Sequence, residues 1–475
     1  MTTSNRRRWY ELSLLALACW AATAAHDAQA APSLSGFALM PANTFSDGPT
    51  SGQFAGTGQY GNALPLLNQQ PVQGFSAVLA GPVAGSYRVM TDNGFGTQAN
   101  SADALLRVYA VRPDFRTATG GSGTVTPVNY SSGAALPAYS AGSRITLRDP
   151  DRHLGFPIQA DATHYYGNAA NALVDASIRS ERLLTGADLD IESMRQDRNG
   201  NLWFGDEFGP YLIKTDATGQ VLRQEIALPN FTGTGGNPLV QSPQFPGITP
   251  GTNNLRNSNG FEGLAINLAG DKLYAMLEGP LIADSNPKRL LINEFDIGQE
   301  RYTGKTFGYR LDELGTNIGD LTAINDHEFI VIERNGGTGT SALAPFKKLF
   351  KIDLSKLDSE GFAEKTELVD LMNIADPHDL NGDGDTTFTF PFVTIEDLLV
   401  VDASTLLVIN DNNYPGGGGR ALASDNTEFL LLKLDRPLNV SAVPEPRSLA
   451  MTLAGMLSIG LLMRRRGGNG DRRDR

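Results

Sequence analysis

The stretch from Asp188 to Pro210, DLDIESMRQDRNGNLWFGDEFGP, decides the fold of this chain. Acidic residues stand at both of its ends, and the dipeptide Asn199-Gly200 separates two apolar runs. Asn-Gly in that position indicates a tight β-hairpin, because both residues tolerate positive φ angles. The start of the first strand and the end of the second strand then lie at the same end of the hairpin. We therefore expect Glu192 and Glu207 to lie close together at one end of the sheet.

The same pattern recurs along the chain. Further second-strand segments are YRVMTD (87–92), LYAMLE (273–278), FIVIE (329–333) and LLVIND (406–411). An acidic residue ends the second strand in every copy, and these residues are Asp92, Glu207, Glu278, Glu333 and Asp411. The equivalent first-strand residues are Ser76, Glu192, Glu262, Gly319 and Glu396. A third apolar strand usually follows, and such antiparallel units repeated at several tens of residues are typical of a β-propeller.

We therefore predict an all-β chain folded as a six-bladed β-propeller, with long loops and a signal segment, disordered or helical, at each end. Five copies are visible, and the interval between Asp114 and Leu183 is expected to hold a sixth, degenerate blade. Residues 37–40 are expected to close the ring by pairing with C-terminal strands, and residues 168–180 to hold a helix. A β-sandwich with acidic turns is the alternative, since acidic residues are common in turns. Acids at one repeat position favour the propeller.

The N-terminal segment, residues 1–30, has the three parts of a secretory signal peptide. Arg6 to Arg8 precede an apolar core from Leu12 to Ala25, and Ala28-Gln29-Ala30 is a cleavage motif. A membrane anchor is the alternative, but the apolar run is short for spanning a bilayer. The single cysteine, Cys19, lies inside this segment in a poor match to a lipoprotein signal. The mature chain therefore has no disulfide and no thiolate metal site.

The C-terminal segment, residues 443–475, carries a second signal. VPEP (443–446) is followed by an apolar run from Leu449 to Met463 and then by Arg464 to Arg466. This order resembles the PEP-CTERM sorting signal of Gram-negative bacteria, which an exosortase processes at the inner membrane. A simple C-terminal membrane anchor is the alternative. Either tail implies that the body, residues 31–440, is exported. The sorting signal further implies transient anchoring in the inner membrane and a final location at the cell surface or in the extracellular matrix.

The net charge of the chain bears on the kind of molecule that it binds. The formal charge of the chain is −13; without residues 1–30, which carry +1, and the tail from Arg447, which carries +5, it is −19. So acidic a body argues against nucleic-acid binding. We expect a monomer that acts on a small phosphorylated or ester substrate, with the exosortase machinery as its processing partner.

Several carboxylates at one mouth cannot all ionise without a partner cation. Calcium takes oxygen ligands in flexible geometry, whereas zinc requires His or Cys. We predict a calcium site formed by Glu192, Glu207, Glu262, Glu278, Glu333, Glu396 and Asp411. For each acid taken singly, capping of a hairpin is an equal alternative. The loop from Asp379 to Asp385 matches the first half of an EF-hand loop and is either a second calcium site or a solvated acidic turn.

Four ordered motifs carry a family resemblance. They are DLDIES…NLWFGDEFGP, NGFEGLAI…LYAMLEGP, FIVIERNGG…KKLFKIDL and FPFVTIEDLL…LLVINDNNYP. They resemble the phytase-like domain, also called the esterase-like activity of phytase family, and the likeness covers residues 73–434. The resemblance implies a propeller-like fold and a phosphoesterase activity. Beta-propeller phytases hold phosphates with calcium in an acidic mouth, so the resemblance also implies where the site lies.

These observations predict a secreted, calcium-dependent phosphoesterase. Glu192, Glu207, Glu262 and Arg334 would be catalytic. One of the seven acids of the calcium site would act as general base, and Arg334 would clamp the phosphate. A calcium-dependent carboxylic-ester or lactone hydrolase is the first alternative, since it needs fewer cations at the mouth. A non-catalytic surface or matrix protein, in which the acids only rigidify the ring, is the second. A mouth without a converging Arg or Lys would favour either alternative.

Overall fold

The computed structural model describes residues 31–56, 64–166, 171–420 and 425–440. Within these ranges the chain is almost entirely strand and loop, which confirms the all-β class. The strands are β1 (Ser33–Met40), β2 (Phe45–Asp47), β3 (Gln69–Pro71), β4 (Phe75–Ala80), β5 (Tyr87–Thr91), β6 (Arg107–Asp114), β7 (Thr124–Pro127), β8 (Arg144–Thr146), β9 (Ile191–Gln196), β10 (Leu202–Asp206), β11 (Tyr211–Thr215), β12 (Ile226–Ala227), β13 (Phe261–Ile266), β14 (Lys272–Leu277), β15 (Arg289–Asp296), β16 (Arg301–Arg310), β17 (Asn317–Ala323), β18 (Glu328–Arg334), β19 (Lys347–Leu357), β20 (Ala363–Asp370), β21 (Ile374–Ala375), β22 (Thr387–Phe388), β23 (Asp397–Asp402), β24 (Thr405–Ile409) and β25 (Thr427–Lys433).

The described residues contain one short α-helix, α1 (Ala176–Glu181), within the segment where the sequence predicts a helix. Asp175 caps it by accepting a hydrogen bond from the backbone N–H of Ser177. The predicted signal peptide (1–30), the predicted sorting tail (443–475) and the start of the predicted helix (168–170) lie outside the described residues. None of the helices in the described ranges combines the length and apolarity needed to cross a membrane.

Five antiparallel units of four strands repeat along the chain. The second, third and fourth units are separate four-stranded sheets, formed by β9 to β12, β13 to β16 and β17 to β20. The first unit, β4 to β7 with β8 added to β6, and the fifth unit, β23-β24-β25-β1, belong to one larger sheet. These two units join where β1 and β7 pair in parallel through Leu39 and Thr124.

The first strands of the five units pack side by side in a closed cycle. β4 contacts β9, β9 contacts β13, β13 contacts β17, β17 contacts β23, and β23 contacts β4. This is a propeller arrangement, in which the innermost strands surround a common axis. The approach is close between the fourth and fifth units, where a Cβ atom on Gly319 would lie 1.9 Å from the carbonyl oxygen of Ile395.

The N-terminal strand closes the ring, as the sequence predicts. β1 pairs antiparallel with β25, from Ser33 opposite Lys433 to Met40 opposite Thr427. The fifth unit therefore takes its outermost strand from one end of the body and its three inner strands from the other end.

A sixth blade is not present in the described residues, so the predicted blade number is not confirmed. The interval from Asp114 to Leu183 instead supplies β7 and β8, which both pair with β6 at the edge of the first unit. Its apolar side chains, among them Leu147, Ile158 and Ile178, join the core that contains β9 and β10. They are buried by existing units and need no blade of their own.

The predicted hairpin at Asn199-Gly200 is confirmed. β9 and β10 pair antiparallel, and Gly200 has a φ of 85° in the turn between them. Asp197 holds the turn, because its carboxylate accepts hydrogen bonds from the backbone N–H of Asn199 at 2.8 Å and from the indole Nε1 of Trp203 at 3.0 Å. Trp203 then packs edge-on against Phe295 of the next unit, with ring centroids 5.3 Å apart. The hairpin is thus held at its turn by Asp197 and at its outer surface by the packing of Trp203 on the next unit.

Candidate active site: a carboxylate ring at the propeller axis

A β-bulge places the key first-strand residue in four of the five units. The strand registers shift around Ser76 in the first unit, Glu192 in the second, Glu262 in the third and Gly319 in the fourth. A bulge inserts one residue without a partner and redirects its side chain, which is why bulges recur beside active sites. Glu396 lies directly before β23 in the fifth unit.

A second key position lies at the end of the second strand of each unit. The backbone N–H of this residue donates a hydrogen bond to the carbonyl oxygen of the residue two places before the bulge. Glu207 N donates to Asp190 O, and Glu278 N donates to Gly260 O, both at 2.8 Å. Asn317 pairs with Arg334 in the same way in the fourth unit. The five residues at this position are Asp92, Glu207, Glu278, Arg334 and Asp411.

Arg334 therefore stands where the other four units carry an acid. Its Nη2 atom lies 3.2 Å from Glu262 Oε1, 3.1 Å from Glu278 Oε1 and 3.2 Å from Glu396 Oε1. These glutamates belong to the third and fifth units, so the packing of three consecutive units brings them to one guanidinium. Burial lowers the pKa of Arg334, but the charges of the three glutamates outweigh burial and raise it overall.

Glu333, predicted as a ring member, lies elsewhere. Its carboxylate accepts hydrogen bonds from Tyr309 Oη and Lys365 Nζ, and from the backbone N–H of Asp312 at 2.6 Å. Adjacent residues of a strand point to opposite faces, so Glu333 and Arg334 cannot both face the axis. The sequence predicts both residues at the mouth, and the structure places only the arginine there.

The other predicted residues come together, with Asp92 and Asp190 in addition, as a group that we name the carboxylate ring. Its members are Asp92, Asp190, Glu192, Glu207, Glu262, Glu278, Arg334, Glu396 and Asp411. Each carboxyl group is buried, and most of them are close enough to several of the others for electrostatic repulsion between their charges. In the described residues, Arg334 is the one Lys or Arg that forms a salt bridge with any of these carboxylates.

Crowding raises the pKa values of the ring. Burial first, and then the neighbouring charge of Asp411, raises the pKa of Glu396 to about 8. Burial raises the pKa of Asp411 to about 6. The pKa values of Glu192, Glu207 and Glu262 are raised well above their usual range, first by burial and then by neighbouring acids. One guanidinium thus cannot balance eight carboxyl groups, and the ring favours either protons or a further cation.

Three ring members form the tightest group. Asp190, Glu192 and Glu207 each offer an oxygen within 4.8 Å of the others, and all three are buried. Asp190 Oδ1 accepts a hydrogen bond from Asn93 Nδ2 at 2.8 Å. Glu207 Oε1 is buried and makes no hydrogen bond with the described residues. A buried carboxylate oxygen without a donor is costly unless a proton or metal satisfies it.

Neutral side chains hold three of the other carboxylates in place. Ser76 Oγ donates to Glu396 Oε2 at 3.0 Å, and Asn259 Nδ2 donates to Glu278 Oε2 at 2.9 Å. Asp411 accepts from Thr394 Oγ1 at 3.2 Å. These bonds fix the carboxylates before any ligand binds.

Asp190 and Asp92 were missed as site residues. Asp92 occupies the same repeat position as Glu207, so the alignment of the repeats already contained its signal. Asp190 lies two residues before Glu192. On an unbroken strand the two side chains would simply share a face, but the bulge at Glu192 disturbs that alternation, so the sequence gives no register for Asp190.

Lys347 lies next to the ring, because it is the residue opposite Arg334 in the pairing of β18 with β19. It is fully buried, and its Nζ donates to the carbonyl oxygen of Val393 at 3.0 Å. Burial, and then the charge of Arg334, lowers the pKa of Lys347 to about 6.

In the loop from Asp379 to Asp385, Gly384 N donates to Asp379 Oδ1 at 3.0 Å, and Asn381 Nδ2 donates to Asp383 Oδ2 at 2.7 Å. That loop satisfies much of its own polarity.

Comparison with protein families identifies the chain. The model of the phytase-like family, described as esterase-like activity of phytase, matches residues 70–414. The chain belongs to the phytase-like family. The match contains all five inner strands and the whole carboxylate ring, so the ring lies within the part of the chain that the family defines.

Individual relatives are more distant. An uncharacterized secreted protein of Arthroderma benhamiae is 30% identical over 110 residues, which are 21% of this chain and 22% of that protein. The chain thus matches about a fifth of this curated relative. The periplasmic gluconolactonase PpgL of Pseudomonas aeruginosa is 13% identical, with a TM-score of 0.30 over 86% of this chain and all of that chain. Regucalcin of Agrobacterium tumefaciens strain C58, described as a calcium-binding protein, is 12% identical, with a TM-score of 0.31 over 83% of this chain and 98% of that chain. Likeness at this level carries over neither substrate nor cofactor.

Proposed function

We propose that this member of the phytase-like family is a calcium-dependent hydrolase of phosphoric esters whose reaction centre is the carboxylate ring. The observation that carries the proposal is the group of Asp190, Glu192 and Glu207, whose oxygens lie within 4.8 Å of one another. This group belongs to a ring that holds one guanidinium.

The residues present fit calcium. The donor set of the three-residue group consists of carboxylate oxygens, which suit a hard cation. Oε1 of Glu207, buried and without a hydrogen-bond donor in the described residues, is a ready ligand atom. Asp190, Glu192 and Glu207 would hold the ion, with Asn93 orienting Asp190 by its 2.8 Å hydrogen bond. Calcium, when bound, supplies charge neutralisation for the ring and polarises the oxygen atoms of the ester.

The remaining ring members supply proton transfer and charge. Glu262 would be the general base, because its pKa is raised and it is outside the three-residue group. It takes a proton from water, the water oxygen bonds to phosphorus, the phosphorus–oxygen ester bond breaks, and the proton passes to the departing alcohol oxygen. Arg334 would stabilise the negative charge that develops on the phosphoryl oxygens.

Carboxylic esters or lactones are the second candidate substrates, and one observation favours them. The single guanidinium of the ring is already within 3.2 Å of three glutamate oxygens, which leaves little positive charge for a phosphate dianion. A neutral ester would not meet that repulsion. Family membership favours the phosphoric ester, and the choice is made by experiment.

The test is hydrolysis of 4-nitrophenyl phosphate and 4-nitrophenyl acetate by the purified protein, with calcium or with EGTA. We expect calcium-dependent release of 4-nitrophenol from the phosphate, lost in Glu207→Gln. Glu367→Gln, at an exposed residue of β20, is the matched control and should keep the activity. Hydrolysis of the acetate alone would replace the phosphoesterase with the second candidate. Hydrolysis of neither ester by calcium-loaded protein would favour a non-catalytic surface or matrix protein.

Export to the cell surface or matrix belongs to this proposal. It is supported by the signal-like segments 1–30 and 443–475 and by the high acidity of the body. Processing by an exosortase and a monomeric state are proposed on the same grounds. Detection of the mature chain outside the inner membrane, beginning at Ala31, would support export.

A further inference from the structure

A cavity of about 370 Å³ lies between loops of the first and second units. This volume falls within the range of about 300–1,000 Å³ that is usual for small-molecule sites. Side chains that face it include Gln98, Phe156, Gln159, Phe208, Tyr211 and Gln244.

Two residues that line the cavity are close in the chain to the three-residue group. Phe208 follows Glu207 in the chain, and Asp188 precedes Asp190 by two residues. Consecutive Cα atoms are about 3.8 Å apart, so the cavity wall begins one residue away from Glu207. A small ester with its reacting bond at the ring would extend its organic part into this space.

One wall of the cavity is aromatic. Phe156 stacks on Tyr211 with ring centroids 6.0 Å apart and an interplanar angle of 16°. Tyr211 in turn contacts Phe245 at 5.2 Å. Phe156 is half-buried, so part of its ring is available to a ligand. Such faces bind flat or ring-shaped groups through their apolar surfaces.

The polar part of the lining is neutral apart from one carboxyl group. In the described residues that line the cavity there is no Lys or Arg. Asp188 is held by the backbone N–H groups of Gln159 at 2.7 Å and Thr185 at 2.8 Å, so it is already satisfied. Gln98 Nε2 donates to the carbonyl oxygen of Ala187 at 3.1 Å, and no hydrogen bond among the described residues uses its Oε1. The cavity therefore offers amides and apolar surface, and several phosphates placed there would meet no cation.

We propose that this cavity binds the alcohol part of the ester and that this part is a single uncharged ring, rather than a polyphosphorylated one. The proposal rests on the proposed function, since the reacting bond is taken to lie at the carboxylate ring. It narrows the substrate class to monoesters of ring alcohols. Phytate, with a phosphate at each ring position, would be a poor substrate.

Three esters test the proposal on calcium-loaded protein: 4-nitrophenyl phosphate, methyl phosphate and phytate. We expect kcat/KM to be highest for 4-nitrophenyl phosphate. Phe156→Ala should lower that value by about tenfold, as loss of one aromatic contact does, while leaving methyl phosphate unchanged. Phe231→Ala, at an exposed aromatic residue outside the cavity, should change none of the three. Gln244→Lys adds a cation to the cavity wall and should improve phytate relative to 4-nitrophenyl phosphate.

Either of two kinetic results would overturn the proposal: phytate as the best substrate, or an equal effect of Phe156→Ala on the methyl and 4-nitrophenyl esters. Binding of phenylphosphonate, which is not hydrolysed, separates this proposal from the hydrolase proposal and is followed by saturation-transfer NMR. Binding that Phe156→Ala abolishes, in a protein that hydrolyses no ester, would support the cavity and refute the activity. Hydrolysis without any dependence on Phe156 or Gln244 would refute the cavity and keep the activity. Absence of phenylphosphonate binding by the calcium-loaded protein would also refute the cavity.

Discussion

Arg334 and Glu278 occupy the same repeat position in neighbouring units, and their side chains meet: Nη2 of Arg334 lies 3.1 Å from Oε1 of Glu278. The repeat would place an acid at both positions. In the fourth unit the acid is replaced by a cation, and the bulge residue is Gly319 instead of a glutamate. In the fourth unit, therefore, neither repeat position contributes an acid to the axis: Gly319 has no side chain, and Arg334 adds a positive charge.

Replacing Arg334 should test this balance. Arg334→Met leaves Glu262, Glu278 and Glu396 without a cation, and removal of one partner from a buried ion pair costs about 3–5 kcal/mol. We expect the free energy of unfolding in urea, measured with EGTA near pH 8, to fall by about that amount. The loss should be smaller near pH 5, because the glutamates then take up protons.

Arg310→Met is the matched control, because Arg310 forms its salt bridges with exposed acids. Exposed pairs of this kind contribute about 0–1 kcal/mol. Losses of equal size in the two variants would show that Arg334 is no more than a surface-like cation.

Calcium should stabilise the folded protein. A ligand that binds only the folded state adds about 2.7 kcal/mol at a hundredfold excess over its dissociation constant. We expect thermal unfolding at a higher temperature with calcium than with EGTA. Glu207→Gln should abolish the difference because it removes an unpaired ligand oxygen.

Glu333→Gln distinguishes the ring from other buried acids. It breaks the contact with Lys365 and lowers stability, but Glu333 is not in the ring, so the increment caused by calcium should persist. An increment lost in Glu333→Gln and kept in Glu207→Gln would contradict the placement of both residues.

Stability without calcium should fall as pH rises from about 4.5 to about 8. The pKa of Glu396 is raised from 4.5 to about 8, and that of Asp411 from 3.8 to about 6, in both cases mainly by burial. Between these limits the folded protein holds protons that the unfolded chain has released, so the free energy of unfolding decreases as pH rises. Lys347, with its pKa lowered to about 6 by burial and then Arg334, acts in the opposite sense above that pH, but it is a single group against the eight carboxyl groups of the ring.

Urea unfolding at several pH values between 4.5 and 8, with EGTA and with calcium, checks this dependence. Calcium should flatten the profile, since its ligands are the ionised carboxylates. A calcium-free stability that rises with pH over the whole interval would contradict the raised pKa values.

Gly319→Ala should disturb the contact between the fourth and fifth units. The added methyl group would lie 1.9 Å from the carbonyl oxygen of Ile395, so the inner strands must move apart. Overpacking of a tight contact costs about 1–3 kcal/mol. We expect a loss of at least this size in urea unfolding. Gly336→Ala is the control, because a Cβ atom there would meet nothing within 4 Å. Similar stability of the two variants would argue against the close approach.

Local patterns gave most of the strands and most of the ring. The hairpin at Asn199-Gly200 was predictable because its turn depends on adjacent residues. Glu192, Glu207, Glu262, Glu278, Glu396 and Asp411 were predictable because a repeated position at a strand end is repeated in space when the units form a ring. Arg334 was predicted through its neighbour Glu333, and only as a clamp for phosphate.

The sequence by itself determined the all-β class, the repeated hairpins and the acidic strand ends, since each depends on alternation and turns within a few residues. The tertiary structure alone decided the rest. Five units close the ring because the interval before Leu183 finds burial at the edge of the first unit and against the second. Arg334, and not Glu333, faces the axis because a shift of one residue along a strand moves a side chain to the other face, and register is set by pairing with β17 and β19.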